Sequence, residues 1–433
     1  NERTTARFAR SSKKRDPRRQ DFSADGDAFS ADLTYEELIA FWDQIRTSQL
    51  QKLTRIQEYV ADGPLISLVV PVFNPEISLL EEMIESVQSQ TYPKWELCLA
   101  DDCSREEVRA FLTYISERDP RIKVELRTEN GHISRATNSA IEIANGNFIA
   151  FVDHDDLLHS DALLFVAKEI KDFPSIKIVY TDEDKIRLNG ERFDPHFKPD
   201  WNRDYFYGVN YISHLSVCCA DLIRSVGGLR EGFEGAQDYD LLLRCIEKID
   251  DCNIRHVPKV LYSWRASHGS TAESNKAKPY ATKAGVRALS EHLKRQHGKS
   301  IVVSEGPSPF TYRVNWPLER EALVSIIIPT RDKLEVTRRA VESILSRTEY
   351  SQFEIIIVDN GSTEQCTLNW LAEIQKCDPR IQVVRDDRPF NYSSLNNLAV
   401  KQSRGDFVAL LNNDIEVINS NWLNEMVSLA ARP

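Results

Sequence analysis

The sequence predicts an α/β protein with a mostly parallel sheet and helices on both faces. The fold is written once in full and once in part, behind an N-terminal helical extension. Three observations carry this reading. Short apolar runs alternate with helix-length amphipathic stretches from Leu65 onward, the pattern of strand–helix–strand units. Ser67–Pro71 returns as Ser325–Pro329 and Glu96–Ser104 as Glu354–Ser362, both at an offset of 258, and Gly146–Asp155 returns as Gly405–Asp414 at 259. A drift of one residue over so long a stretch marks two copies of one domain, because the period is far too long for stacking repeat units. Finally, the polar motifs fall just past apolar runs, at the carboxyl ends of parallel strands where open α/β sheets collect ligands.

The elements follow in order. Residues 1–63 form a basic tail and a helical extension. Arg3, Arg7, Arg10, Lys13, Lys14, Arg15, Arg18 and Arg19 face only Glu2 and Asp16, and the small, acidic stretch 21–32 reads as a linker. Thr34 and Glu37 have capping-box spacing, and Leu38, Trp42, Ile45, Leu53, Ile56 and Val60 follow at helical intervals, which predicts one or two packing helices ending near Gly63-Pro64. Strands are predicted at 66–72, 96–100, 122–126 and 148–152, with helices at 79–90, 106–116 and 134–144 between them. The complete unit is placed at 64–316 and the partial copy at 317–433. Copy two ends 19 residues after Asp414, so a truncated second unit is expected.

Composition narrows the function. Of 433 residues, 41% are apolar and 28% charged, as in ordinary soluble globular proteins. A net charge of −11 argues against general nucleic-acid binding, which needs clustered Lys and Arg. The basic tail reads as a solvated segment, with attraction to an anionic membrane surface as its alternative. The 8 cysteines form no CxxC pair and no zinc-spaced cluster, which fits reduced thiols in a cytosolic protein. No apolar run approaches the roughly 18–20 residues that span a bilayer, and no signal peptide is visible. The chain starts at Asn1, which leads us to expect that the native N-terminus lies upstream.

Asn74 follows the first strand, Asp101-Asp102 the second, and Asp153-His154-Asp155-Asp156 the fourth. Two carboxylates two residues apart suit a hard divalent cation such as Mg²⁺ or Mn²⁺, which takes oxygen ligands and keeps positions for phosphate. The competing reading is a helix cap, Asp155 or Asp156 capping the apolar stretch 162–170.

Taken together, Pro71-Val72-Phe73-Asn74, Leu99-Ala100-Asp101-Asp102-Cys103-Ser104 and Phe151-Val152-Asp153-His154-Asp155-Asp156 resemble the ordered motifs of family-two GT-A glycosyltransferases. The likeness includes Tyr180–Lys185, Phe197–Trp201 and Gly235–Asp240, and is strongest to bacterial tandem-domain enzymes of O-antigen and surface-polysaccharide assembly, often called rhamnosyltransferases. It implies a GT-A fold, a nucleoside-diphosphate sugar donor, a glycan or lipid-linked glycan acceptor, Mg²⁺ or Mn²⁺, and work in the cytoplasm or at the inner face of the membrane. Position by position, it implies a nucleotide site of Pro71, Val72, Phe73, Asn74, Asp101, Asp102, Arg135, Asp153 and Arg265. It implies metal ligands Asp153, Asp155 and His268, and Asp238 as catalytic base, with Asp240 as fallback. The sequence departs from the pattern at Gln237, where the family usually has Glu, and its Tyr262-Ser263-Trp264-Arg265 lacks the Gln-x-x-Arg-Trp form of processive membrane synthases. In copy two Asp359 and Asp414 are kept, Asn360 and Asn412 replace aspartates, and no counterpart of Asp238 follows, so that unit is expected to be a catalytically silent nucleotide-binding half. The rival readings are a non-catalytic nucleotide-binding scaffold of a polysaccharide assembly complex and a sugar nucleotidyltransferase. The latter would carry a Gly-rich, basic phosphate loop that Val70–Pro75 lacks.

Overall fold

The structure, a computed structural model, describes residues 34–266, 279–298, 301–318 and 320–432. The basic tail, the linker and His268 lie outside the described residues. The expected capping box is present: the Thr34 hydroxyl accepts from the Glu37 N–H, and the Glu37 carboxylate accepts from the Thr34 N–H at 2.7 Å. Two helices follow, Tyr35–Ser48 and Leu50–Tyr59. Leu53, Ile56 and Val60 enter the first core, while Arg46 reaches Asp161 at 2.6 Å, so the extension is fastened to the domain it precedes.

Fifteen strands are described: β1 (Ile66–Val72), β2 (Trp95–Asp101), β3 (Ile122–Leu126), β4 (Phe148–Phe151), β5 (Leu157–Leu158), β6 (Ile178–Ile186), β7 (Arg192–His196), β8 (Ser216–Cys219), β9 (Ile254–Arg265), β10 (Val302–Glu305), β11 (Tyr312–Asn315), β12 (Val324–Thr330), β13 (Phe353–Asp359), β14 (Ile381–Arg385) and β15 (Phe407–Leu410). The first nine form one sheet in the order β3-β2-β1-β4-β8-β6-β9-β5, with β7 on β6. β3, β2, β1 and β4 are parallel, joined by helices Ile77–Gln88, Glu106–Arg118 and His132–Glu142. β8 runs antiparallel to both β4 and β6, and β9 returns parallel to β6.

β1 and β2 are covered on both faces and read as continuous apolar runs, as buried parallel strands must. Leu68, Val70, Leu97 and Leu99 face one apolar cluster, whereas Val69, Cys98 and Ala100 face another. That is the period-two division of a strand between two helical layers.

β12 to β15 form a separate sheet in the order β14-β13-β12-β15. Its register copies the first: Val324 lies opposite Phe353 and Phe407 as Ile66 lies opposite Trp95 and Phe148. It has its own apolar clusters. The two units touch where Arg432 pairs with Asp204 at 2.7 Å and lies over the Trp316 ring. Among the described residues no helix is long and apolar enough to cross a membrane.

Candidate active site

The site is built on the carboxyl edge of the parallel strands. Val72 ends β1 opposite Asp101, and the Asp102 N–H donates to the Val72 carbonyl at 2.8 Å. The two loops are then stitched together by Asn74. Its N–H donates to Ser104 Oγ at 2.9 Å, and its Oδ1 accepts from the Arg105 N–H at 2.8 Å. Asn74 sits at φ 46°, a left-handed conformation that Asn tolerates better than most residues. Phe73 is left half-exposed at the mouth, above Pro71 and the buried Val72.

Asp101 and Asp102 are both buried, with different partners. Asp101 receives the Ser104 N–H and Arg109 Nη1, the latter at 2.7 Å. Asp102 Oδ1 receives Arg127 Nε at 2.9 Å and the Gly131 N–H at 2.8 Å. Neither arginine stood out in the sequence, although Arg127 directly follows a strand, where a side chain naturally reaches the ligand edge. Arg135 is half-exposed and held by Glu231 at 2.8 Å; its backbone carbonyl, not its charge, meets Arg127.

The acidic loop after β4 is pinned by β9. Asp156 is fully buried and accepts from the Tyr262 hydroxyl and, at 2.7 Å, from the Arg265 N–H. Arg265 Nε donates to the Asp155 carbonyl and Nη2 to Glu82, both at 2.6 Å. Arg265 is itself buried, so its guanidinium fastens the acidic loop to β9 and to Glu82. His214, which precedes β8, stacks on Tyr262 with ring centroids 4.7 Å apart and brings Nε2 to 3.8 Å from Asp153.

Asp153, Asp156 and His214 place ligand atoms within 4.8 Å of one another. Asp155 lies beside this group rather than in it. Burial raises the Asp155 pKa, and the neighbouring Asp153 adds to the rise. Asp156 is raised well above its usual value by burial, with the charges of Asp153 and Asp155 adding to it. Carboxylates crowded in this way are what a divalent cation relieves, and their oxygens suit Mg²⁺ or Mn²⁺. The residues therefore fit the expected metal, with His214 as a nitrogen donor that sequence reading missed.

Asp238 opens helix Gln237–Ile246. It is half-buried, and Asn210 Nδ2 donates to its Oδ2 at 2.7 Å. A helix N-terminus alone would favour the carboxylate. Here burial outweighs the helix amides and His214 and raises the pKa, with a further push from Asp153. Asp238 thus lies within electrostatic reach of Asp153 and His214. The fallback, Asp240, is corrected: it is buried between Arg230 at 2.5 Å and Arg244 at 2.9 Å, and so anchors the helix. The Gln237 side chain turns back to accept from the Gly235 N–H at 2.7 Å.

Copy two repeats the nucleoside framework. Asp332 binds Ser362 Oγ through its N–H at 2.7 Å and accepts from the Thr363 and Glu364 amides. Asp359 receives the Ser362 N–H at 2.9 Å and Arg385 Nη1 at 2.8 Å. Asn360 cannot repeat the Asp102 ion pair and donates to the Asp386 and Arg388 carbonyls instead. Asn412 and Asp414 are exposed.

The sequence profile described as Glycosyl transferase family 2 matches residues 67–223 and 325–433. An uncharacterized protein of Sinorhizobium fredii is 58% identical over the whole of this chain and 47% of its own length. The O-antigen biosynthesis protein RfbC of Myxococcus xanthus is 42% identical over 88% of this chain and 30% of its own. The chain thus spans about half or less of these curated relatives. Among solved structures, S. aureus TarS 1-349 in complex with UDP-GlcNAc is 20% identical, with TM-score 0.44 over 53% of this chain and 66% of that one.

Proposed function

The chain belongs to glycosyl transferase family 2, and we propose that residues 64–316 act as an inverting, metal-dependent transferase. The sugar moves from a nucleoside-diphosphate donor to a hydroxyl of a bacterial surface glycan. One observation carries the reading: a cation-competent group, Asp153, Asp156 and His214, lies within electrostatic reach of a carboxylate, Asp238, that no arginine or lysine neutralises among the described residues. The similarity to a protein of O-antigen biosynthesis supports a glycan or lipid-linked glycan as acceptor.

In this reading the loop Pro71–Asn74, Asp101 and Asp102 hold the nucleoside, with carboxylate oxygens accepting from base N–H or ribose hydroxyls. Arg127 holds Asp102 in place. Asp153, Asp156 and His214 would hold the cation, with Asp155 joining them from beside the group; when bound, Mg²⁺ or Mn²⁺ would neutralise the departing diphosphate. Asp238 takes the proton of the acceptor hydroxyl while that oxygen bonds to the anomeric carbon and the bond to the diphosphate oxygen breaks, which inverts the carbon. A base with a raised pKa suits this task, because it lies nearer the working pH. Copy two serves as a silent nucleotide-binding half, and the enzyme works in the cytoplasm or against the inner face of the membrane.

The test is Asp238→Asn. General-base help of about 10²–10⁴-fold predicts a loss of about 3–5 kcal/mol in transition-state stabilisation, with nucleotide affinity unchanged. Near-wild-type transfer by this variant would remove Asp238 from the mechanism.

A further inference from the structure

Asn210 lies between helix Arg203–Gly208 and β8, in a stretch fixed on both sides. Val209 bridges to Thr311, and its N–H donates to the Tyr205 carbonyl at 3.1 Å. Tyr211 is fully buried, and its hydroxyl accepts the Asn202 N–H at 2.9 Å. The backbone of Asn210 is therefore set by residues that have nothing to do with Asp238. From this footing its amide reaches across 28 positions of sequence to Asp238 Oδ2.

A carboxylate only accepts hydrogen bonds, so the Asn210 side chain must present its NH₂ group to Asp238. That leaves its Oδ1 turned away, buried, and without a hydrogen-bond partner among the described residues. A buried acceptor left unpaired is costly, and in native proteins such groups cluster where function needs them. Other groups around Asp238 are accounted for. Tyr239 and Tyr312 stack face to face at 5.3 Å beside the first turn, His214 and Asp153 act through their charges, and the Tyr239 amide supports the carboxylate from its own helix. None of these is a side-chain donor fixed on Oδ2.

We propose that Asn210 is the positioning residue of the catalytic base: its amide clamps one oxygen of Asp238 so that the carboxylate faces the acceptor hydroxyl in its charged form. The proposal rests on Asp238 being the base.

The test uses the full chain and the release of nucleoside diphosphate with Mn²⁺. The donor is whichever of a panel of UDP-, GDP- and dTDP-hexoses wild type turns over fastest. A hydrogen bond to a charged group is worth about ten- to a hundredfold. Asn210→Ala should therefore lower kcat by at least about tenfold and move the acid limb of the rate profile up by about one pH unit, with UDP affinity unchanged. Asn210→Asp keeps the shape but cannot donate when ionised, and should be slower still. On the Asp238→Asn background, Asn210→Ala should cost nothing more, because a positioning residue acts through its partner. Full additivity in that double variant, an unmoved acid limb, or wild-type turnover by Asn210→Asp would each overturn the proposal. Wild-type turnover by Asp238→Asn would instead remove the base assignment itself, so the two failures are told apart.

Discussion

Lys198→Met should destabilise the first unit by about 3 kcal/mol, and the reason can be worked from one buried pair. Lys198 has no exposed side-chain surface; its ammonium meets Glu183 at 3.2 Å, the Ile212 carbonyl at 2.6 Å and the His214 carbonyl. Glu183 also accepts the His214 N–H at 2.9 Å, so the pair grips both polar groups of the His214 backbone. Burial acts to raise the Glu183 pKa, but Lys198, His196 and His214 outweigh it and bring it down from an ordinary 4.5 to about 2. At ~1.4 kcal/mol per unit this depression contributes about 3 kcal/mol. The contribution is fully present above the unfolded value and is lost as pH falls through the folded one, a window of 4.5 down to about 2. Burial lowers the Lys198 pKa as well, which offsets part of the gain at neutral pH. Removing one partner of such a pair strands the other, at a cost of about 3–5 kcal/mol. Urea unfolding at pH 7, followed by tryptophan fluorescence, measures the loss. Repeating it down to pH 3 should show a flatter acid dependence in the variant than in wild type. A loss below about 1 kcal/mol, or parallel acid profiles, would refute the claim that this pair holds the His214 turn. Replacing both partners, Glu183→Leu with Lys198→Met, should recover part of the stability, because no charge is then left buried alone.

Two further outcomes follow from the site. Asp155→Ala should lower nucleoside-diphosphate affinity at least about tenfold in calorimetry with Mn²⁺ while changing metal-free affinity little, since it removes a hard oxygen ligand and not a nucleoside contact. Asp414→Ala in copy two should leave turnover within about a factor of two of wild type, as expected of an exposed residue outside the catalytic unit.

β1, β2 and β4 were legible because they are buried along almost their whole length and therefore largely apolar; the helices 77–88 and 132–142 begin within two residues of the predicted starts. The second half of the large sheet was not, and β6 shows why. Thr181-Asp182-Glu183-Asp184 reads as an exposed polar turn, yet all four are buried. Most of their partners come from further along the chain: His256 for Asp182, Lys198 for Glu183 and Ser263 for Asp184, with Arg192 of the adjoining hairpin also on Asp184. No local pattern encodes pairings of that range. The same holds for Arg127, Asn210 and His214, single residues in loops whose roles exist only once the fold sets them beside Asp102, Asp238 and Asp153. The carboxylates were found because their spacing is itself a signal. For Asp238 the helix terminus favours the carboxylate, yet burial sets the direction of its shift.

The two copies separate what the nucleoside loops need from what the acidic loop needs. In both, a residue at positive φ, Asn74 or Asp332, joins the first two loops through a serine, Ser104 or Ser362, and an arginine holds the aspartate that ends the second strand. That framework is closed within the parallel strands and survives in copy two with different side chains. The acidic loop is not closed in this way. In copy one Asp155 and Asp156 are held by Tyr262 and Arg265, more than a hundred residues away on β9. In copy two Asn412 and Asp414 have no such strand over them among the described residues, and Asn413 bonds only to Thr330 and Thr337 of its own unit. The framework of the first two loops can thus be inherited as a half-domain, whereas the geometry that crowds Asp153, Asp155 and Asp156 is imposed by the half that also supplies Asn210, His214 and Asp238. The carboxylate motif alone does not create that crowding; the strand that clamps it does.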